Sequence, residues 1–193
     1  MAAEAPAEPA LTPLERATAF LDNLRSAGTF DDTPLRGLAV VSAAPGRVTC
    51  RLRPTRAHSN RFGSMHGGCI ATLVDVIGSA AIATVSDRGG VSVAINTNYL
   101  SPTPIGEDLD IEATVVKRGK QMATAVVNLS VAGEAVAQGS HVKALVPLSD
   151  LSALWAAVAE ERRGVAAGSG GLREGQQQQQ QQQQQRPLQH SRL

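Results

Sequence analysis

The chain of 193 residues carries 18 basic and 17 acidic side chains, a formal net charge of +1, and is 42% apolar, which suits one globular domain with tails. The balanced charge excludes a global field that would gather nucleic acid or an anionic membrane, so any anion site has to be local. Cys50 and Cys69 fit no metal or disulfide spacing and read as small core residues, no stretch approaches the ~18 apolar residues of a membrane span, and the acidic, Pro-rich start is unlike a signal or transit peptide.

Residues 1–12 read as a disordered lead. Pro13 suits a helix start, and Leu14, Ala17, Phe20, Leu21 and Leu24 recur at helical spacing, which predicts a short amphipathic helix ending near Gly28. Two β-type runs, 38–43 and 47–53, flank Pro45-Gly46 and predict a hairpin. Residues 54–65 are polar. Residues 67–85 are apolar, Ala-rich and free of proline, which predicts one buried helix of about five turns with Ile70, Leu73, Val74, Ile77 and Ala81 on one face. Four β-rich runs follow, 91–99, 109–117, 122–130 and 135–146, and the Gly, Pro and Asp punctuation between them predicts an antiparallel meander. That sheet needs its apolar face covered, and the helix at 67–85 is the element long and apolar enough to do it. The expected class is α+β, an antiparallel sheet wrapped around a central helix. The predicted organisation is a lead and short helix at 1–33, the domain at 34–147, a C-terminal helix at 148–163 with Asp150 as cap and Trp155 as anchor, and a disordered tail at 164–193. The uninterrupted glutamines at 176–185 cannot bury apolar surface and need not fold. The closing Ser191-Arg192-Leu193 is a variant of the Ser-Lys-Leu address and predicts import into peroxisomes through their receptor, with the cytoplasm as the alternative.

The chemistry concentrates at residues 60–75. His66-Gly67-Gly68 stands where a polar loop enters an apolar helix, so unpaired N–H groups and the positive end of the helix dipole face whatever precedes it. Glycine there lets a ligand carbonyl approach the backbone, and donors so placed can supply ~3 kcal/mol of transition-state stabilisation; the bland reading is a helix start with glycine for packing. Asp75 is the only fixed charge between Phe62 and Ser86, about two turns into a helix expected to be buried. An ionised carboxylate there needs a partner or a chemical role. Asn60 adds a neutral amide that can donate to a carbonyl, although a lone loop asparagine is usually a turn residue.

These residues, with Gly90-Val91-Ser92-Val93, Tyr99-Leu100-Ser101-Pro102, Gly106-Glu107-Asp108 and Ala137-Gln138-Gly139, resemble the hotdog-fold acyl-CoA thioesterases of the thioesterase superfamily member 2 and phenylacetate-pathway type, over about residues 34–145. The resemblance implies that Asp75 acts as general base or nucleophile on the thioester, that Ser92 orients the attacking water, that Gly67 N–H with Asn60 polarises the carbonyl, and that His66 supports the loop or the departing thiolate. It implies a site shared across a subunit interface, in a dimer or a dimer of dimers (a homotetramer). It further implies that coenzyme A, part of the substrate rather than a cofactor, lies along Ser92, Tyr99, Leu100, Ser101, Pro102, Lys117, Arg118, Gly119, Lys120, Gln121 and Met122, with no metal and no other cofactor. Lys117, Arg118 and Lys120 supply the local positive charge, and the turn at Gly119 could add backbone donors for phosphate; a solvated basic turn is the plain alternative. The expected reaction is hydrolysis of a medium- or long-chain acyl-CoA in fatty-acid metabolism. The alternatives are an aromatic acyl-CoA substrate, a non-catalytic acyl-CoA binder on the same fold, or a dehydratase, whose Asp and His stand at other spacings. Val74, Ile77, Ile95 and Leu100 could line an acyl tunnel or simply be core.

Overall fold

A computed structural model describes residues 10–149. The glutamine run, the Ser191-Arg192-Leu193 address and the predicted C-terminal helix beyond Ser149 lie outside the described residues. Helix α1 (Pro13–Arg25) starts where a capping box fixes it. The Thr12 hydroxyl accepts from the Glu15 N–H, and the Glu15 carboxylate accepts from the Thr12 N–H, which satisfies two of the amides that a helix start leaves free. Its buried residues are Ala17 and Leu21.

Six antiparallel strands form one sheet in the order β1-β2-β4-β5-β6-β3. They are β1 (Ala39–Ala44), β2 (Arg47–Leu52), β3 (Gly89–Tyr99), β4 (Leu109–Arg118), β5 (Met122–Val131) and β6 (Glu134–Val146). Each lies within two residues of its expected run. The predicted meander holds for β4, β5 and β6 but not for β3, which pairs with β6 rather than β4. The connection at 100–108 explains this, since Pro102 and Pro104 lack the N–H that a tight hairpin would use. Long β6 instead serves two partners, and β3 becomes a free edge of eleven residues.

Helix α2 (Gly67–Ala83) crosses the concave face of this sheet. Leu73, Val74, Ile77, Ala80 and Ala81 are fully buried against the inward residues of β2, β4 and β5, among them Val48, Cys50, Ile111 and Val127. Val74 and Ile77 are therefore core, whereas Ile95 and Leu100 are exposed. Burial pushes the Cys50 thiol up to about 12, so it packs as a small apolar group. The helix stops two residues short of the predicted Val85. There the Thr84 hydroxyl donates to the Ala81 carbonyl at 2.7 Å and accepts from the Gly46 N–H at 2.8 Å, so it ties the helix end to the β1–β2 turn.

Close approach of helix and sheet rests on small residues. A Cβ at Gly139 on β6 would stand 2.6 Å from Val74 Cγ1 and 2.7 Å from the Asn96 carbonyl oxygen. Backbone cannot yield as a side-chain tip can. Gly139→Ala is expected to cost at least about 2 kcal/mol of folding stability, read as a fall in the thermal midpoint; an unchanged midpoint would show that β3 and β6 are not held at this separation.

Candidate active site

The polar loop before α2 is organised by Asn60. Its Oδ1 accepts from the N–H groups of Phe62 at 2.8 Å and Ser64 at 3.3 Å, and its Nδ2 donates to Ser64 Oγ at 2.9 Å, with the Met65 carbonyl at 3.4 Å. Asn60 is thus a turn-forming residue and also a donor beside Gly67, because both line one surface depression with Tyr99, Leu100, Ser101 and Pro102. A substrate carbonyl would reach Nδ2 by displacing the Ser64 hydroxyl.

His66 is the N-cap of α2. Its Nδ1 accepts from the Gly68 N–H at 2.9 Å, so the ring carries its proton on Nε2 when neutral. Capping consumes the Gly68 amide and leaves the Gly67 N–H without a partner among the described residues, at the positive end of the helix dipole. Tyr99 closes over it: its hydroxyl donates to the Gly67 carbonyl at 3.0 Å, and a Cβ at Gly67 would meet the Tyr99 ring at 3.3 Å. Glycine lets the Tyr99 ring lie this close, since a Cβ there would make it shift by a few tenths of an ångström.

Asp75 lies on α2 with its side chain 38% exposed, opening beside Thr72, Ile95 and Thr97. His141 from the sheet and Ser79 from the same helix meet it, and Lys143 from the sheet meets Ser79. His141 on β6, fully buried, places Nδ1 3.0 Å from the Asp75 carbonyl oxygen and 3.4 Å from Oδ1, while its Nε2 is 3.0 Å from Ser92 Oγ. Ser79, one turn along the helix, donates to the Asp75 carbonyl at 2.8 Å with Oδ1 at 3.5 Å, and Lys143 Nζ donates to Ser79 Oγ at 2.9 Å. Burial lowers the pKa of His141; Asp75 opposes that fall and Lys143 adds to it. Neutral His141 then donates from Nδ1 to Asp75 and accepts the Ser92 hydroxyl proton at Nε2. Asp31, on the short turn Phe30–Asp32, has its pKa raised by burial and then by the charge of Asp75.

Of the predicted residues, Asn60, His66 and Gly67 meet at one end of α2, and Asp75 meets Ser92 through His141. The two groups are eight residues apart on one helix, about 12 Å at 1.5 Å per residue. The sequence reading missed His141, Ser79 and Lys143. His141 and Lys143 alternate on β6 with the same inward sense as Leu145, but they join Asp75 only through long-range pairing.

The basic turn also gains a member. Arg88 lines a depression with Arg118, Gly119 and Lys120 and donates to the Lys120 carbonyl at 3.1 Å. The Gly119 N–H is taken by the Met122 carbonyl at 2.7 Å, so phosphate recognition there would rest on side-chain charge rather than on that amide. Lys117, Gln121 and Met122 are exposed on either side of the turn.

A sheet wrapped around one buried helix in this way is the fold of the hotdog thioesterases, and comparison with known proteins agrees. A family model described as thioesterase superfamily matches residues 62–137. Acyl-coenzyme A thioesterase 13 of Homo sapiens is 45% identical over 112 residues, which is 56% of this chain and 79% of that protein. A putative esterase of Schizosaccharomyces pombe is 38% identical over 120 residues, 59% of this chain and 73% of that protein. Zebra fish thioesterase superfamily member 2 superposes with a TM-score of 0.66 at 40% identity, over 70% of this chain and 99% of that structure. The chain belongs to the thioesterase superfamily.

The cap itself is testable. His66→Ala is expected to cost about 1 kcal/mol of stability through the lost N-cap and His66→Asn much less, measured by denaturant titration; equal losses would mean that the imidazole does not act as the cap.

Proposed function

We propose that the chain hydrolyses a medium- or long-chain fatty acyl-CoA to the free acid and coenzyme A. The observation that carries this reading is the half-exposed Asp75 carboxylate on a buried helix whose first amide, Gly67 N–H, has no partner among the described residues. The Gly67 N–H, with Asn60 Nδ2, polarises the thioester carbonyl. Asp75, as general base, takes a proton from a water that the Ser92 hydroxyl orients, and the water oxygen bonds to the carbonyl carbon. The tetrahedral intermediate collapses with cleavage of the C–S bond, and the proton on Asp75 passes to the departing thiolate. Direct attack by the carboxylate, followed by hydrolysis of the anhydride, uses the same groups.

The ~12 Å between Gly67 and Asp75 along α2 is too far for both to serve one carbonyl within one subunit. This supports a site built from Asn60 and Gly67 of one copy and Asp75 of another. The free edge of β3, with Val91, Val93, Ile95 and Tyr99 exposed, offers a surface on which a second copy could pair. A fatty acyl chain has room in an open cavity of about 600 Å³ walled by Leu11, Phe20, Ile82 and Leu145, while Asp75 opens onto a separate depression beside Thr72, Ile95 and Thr97. A single ring is enclosed by roughly 150 Å³. Arg88, Arg118 and Lys120 supply charge suited to the phosphates of coenzyme A.

A second reading draws on the hydrogen-bonded line Ser92–His141–Asp75. In it Ser92 Oγ attacks the thioester, His141 takes the hydroxyl proton and passes it to the thiolate, and water later cleaves the acyl-serine. His141 Nδ1 lies nearer the Asp75 backbone carbonyl than its carboxylate, which favours the first reading.

Asp75→Asn is expected to lower kcat by about 10³-fold in a thiol-release assay; turnover within a few fold of the parent would contradict the base assignment. Ser92→Ala is expected to lose far less, and the parent to show no Ser92-dependent burst of thiol release in pre-steady-state kinetics, whereas a parental burst that disappears in Ser92→Ala would establish the second reading. Across acetyl-, phenylacetyl- and tetradecanoyl-CoA, kcat/KM is expected to be highest for the tetradecanoyl thioester; a preference for phenylacetyl-CoA would move the assignment to aromatic substrates.

A further inference from the structure

Lys143 has no role in the reaction as proposed so far, yet its surroundings are built around it. It stands on β6, two residues past His141, in register with Ser92 of β3 and Ala123 of β5. Its aliphatic stem lies across Gly90, where a Cβ would come within 2.7 Å of Lys143 Cε and 3.3 Å of Cδ. Gly90 has no positive φ, so the backbone there accepts other residues, and what the glycine provides is room for the lysine. The stem is thereby directed under α2, and the ammonium donates to Ser79 Oγ at 2.9 Å.

An ammonium can only donate, so Ser79 must be the acceptor in that bond. The single hydroxyl hydrogen of Ser79 is then left for Asp75, whose carbonyl oxygen is at 2.8 Å and whose Oδ1 is at 3.5 Å. Without the lysine the hydroxyl could rotate and accept from any other donor. No carboxylate lies within salt-bridge distance of Lys143 among the described residues, so Asp75 is the negative charge it serves through Ser79. The titratable groups around this ammonium are Asp75 on α2, His141 on β6, Arg16 on α1, and Asp87 and Arg88 after α2. Arg16 pairs with Asp87, and Arg88 donates to the Lys120 carbonyl.

We propose that Lys143 is a positioning residue for thioester hydrolysis: its ammonium, delivered across Gly90, fixes the Ser79 hydroxyl on the Asp75 carbonyl oxygen, and so holds the helical turn that presents the carboxylate while setting a positive charge beside it. The inference rests on Asp75 being the base. Burial lowers the pKa of Lys143, against the pull of Asp75. The charged form does the positioning, so its contribution to turnover is fully present below that lowered value and is lost as pH rises through it.

Full-length Lys143→Met keeps the stem and removes the charge, while Gly90→Ala keeps the charge and pushes the stem aside. Both are expected to lower kcat about tenfold with KM for the preferred acyl-CoA within about twofold of the parent, and to melt close to the parent temperature. The parent's kcat is expected to fall on the alkaline side, and that limb is expected to be absent in Lys143→Met. An alkaline limb retained in Lys143→Met, or a kcat at the parent level with only KM raised, would overturn the proposal. Asp75→Asn, assayed alongside, separates the two levels. An inactive Asp75→Asn with a fully active Lys143→Met refutes the positioning role alone, whereas an active Asp75→Asn refutes the base assignment on which it rests. Should Lys143→Met fail to fold, Gly90→Ala carries the same comparison of kcat with KM.

Discussion

Everything in this structure follows from burying one apolar helix against one curled sheet. Helix α2 has a single fixed charge, and its apolar residues fill the concavity of β2, β4, β5 and β6. A helix so enclosed is rigid and places its side chains reproducibly. It also imposes a cost on any polar group it carries, because a carboxylate removed from water must be compensated by hydrogen bonds or opposite charge. Asp75 meets that condition by staying half-exposed on its open side and by facing His141, Ser79 and Lys143 on the other.

The same helix fixes the second half of the chemistry. Its amino terminus must expose amides that no turn precedes, and the protein satisfies one of them with His66 while leaving the neighbouring Gly67 N–H open. Rigidity then sets a distance: an amide at the first position and a carboxylate two turns later cannot converge on one carbonyl within one copy. The exposed edge of β3 is where the proposed second copy would resolve this, and its apolar side chains would be poorly placed in a monomer.

Much of this was legible in the sequence, for reasons tied to particular residues. The helix at 67–83 declared itself through an apolar, proline-free run after His66-Gly67-Gly68, and the strands through β-rich runs between Gly and Pro turns. Asp75 stood out because a lone charge in such a run is costly. What could not be read was whatever depended on long-range pairing. The union of β3 with β6 leaves no local signature, so His141 and Lys143 could not be linked to Asp75, nor Gly90 to the lysine stem that crosses it. Arg88 likewise joins the basic turn only because the start of β3 returns beside the β4–β5 connection. Turn punctuation misled at 100–108, read as one turn of a meander, and again at Gly119, whose amide, expected to be free for phosphate, closes its own turn.

In the proposed site the polarising amide and the carboxylate come from different copies of the chain. Mixing Asn60→Ala subunits with Asp75→Asn subunits tests it directly, because each variant alone lacks one half of every site. Under this account, refolding or co-expressing the two together regenerates intact sites in the mixed dimers and restores roughly a quarter of the parental turnover. Activity no higher than the sum of the separate variants, in samples shown to contain mixed dimers, would contradict it.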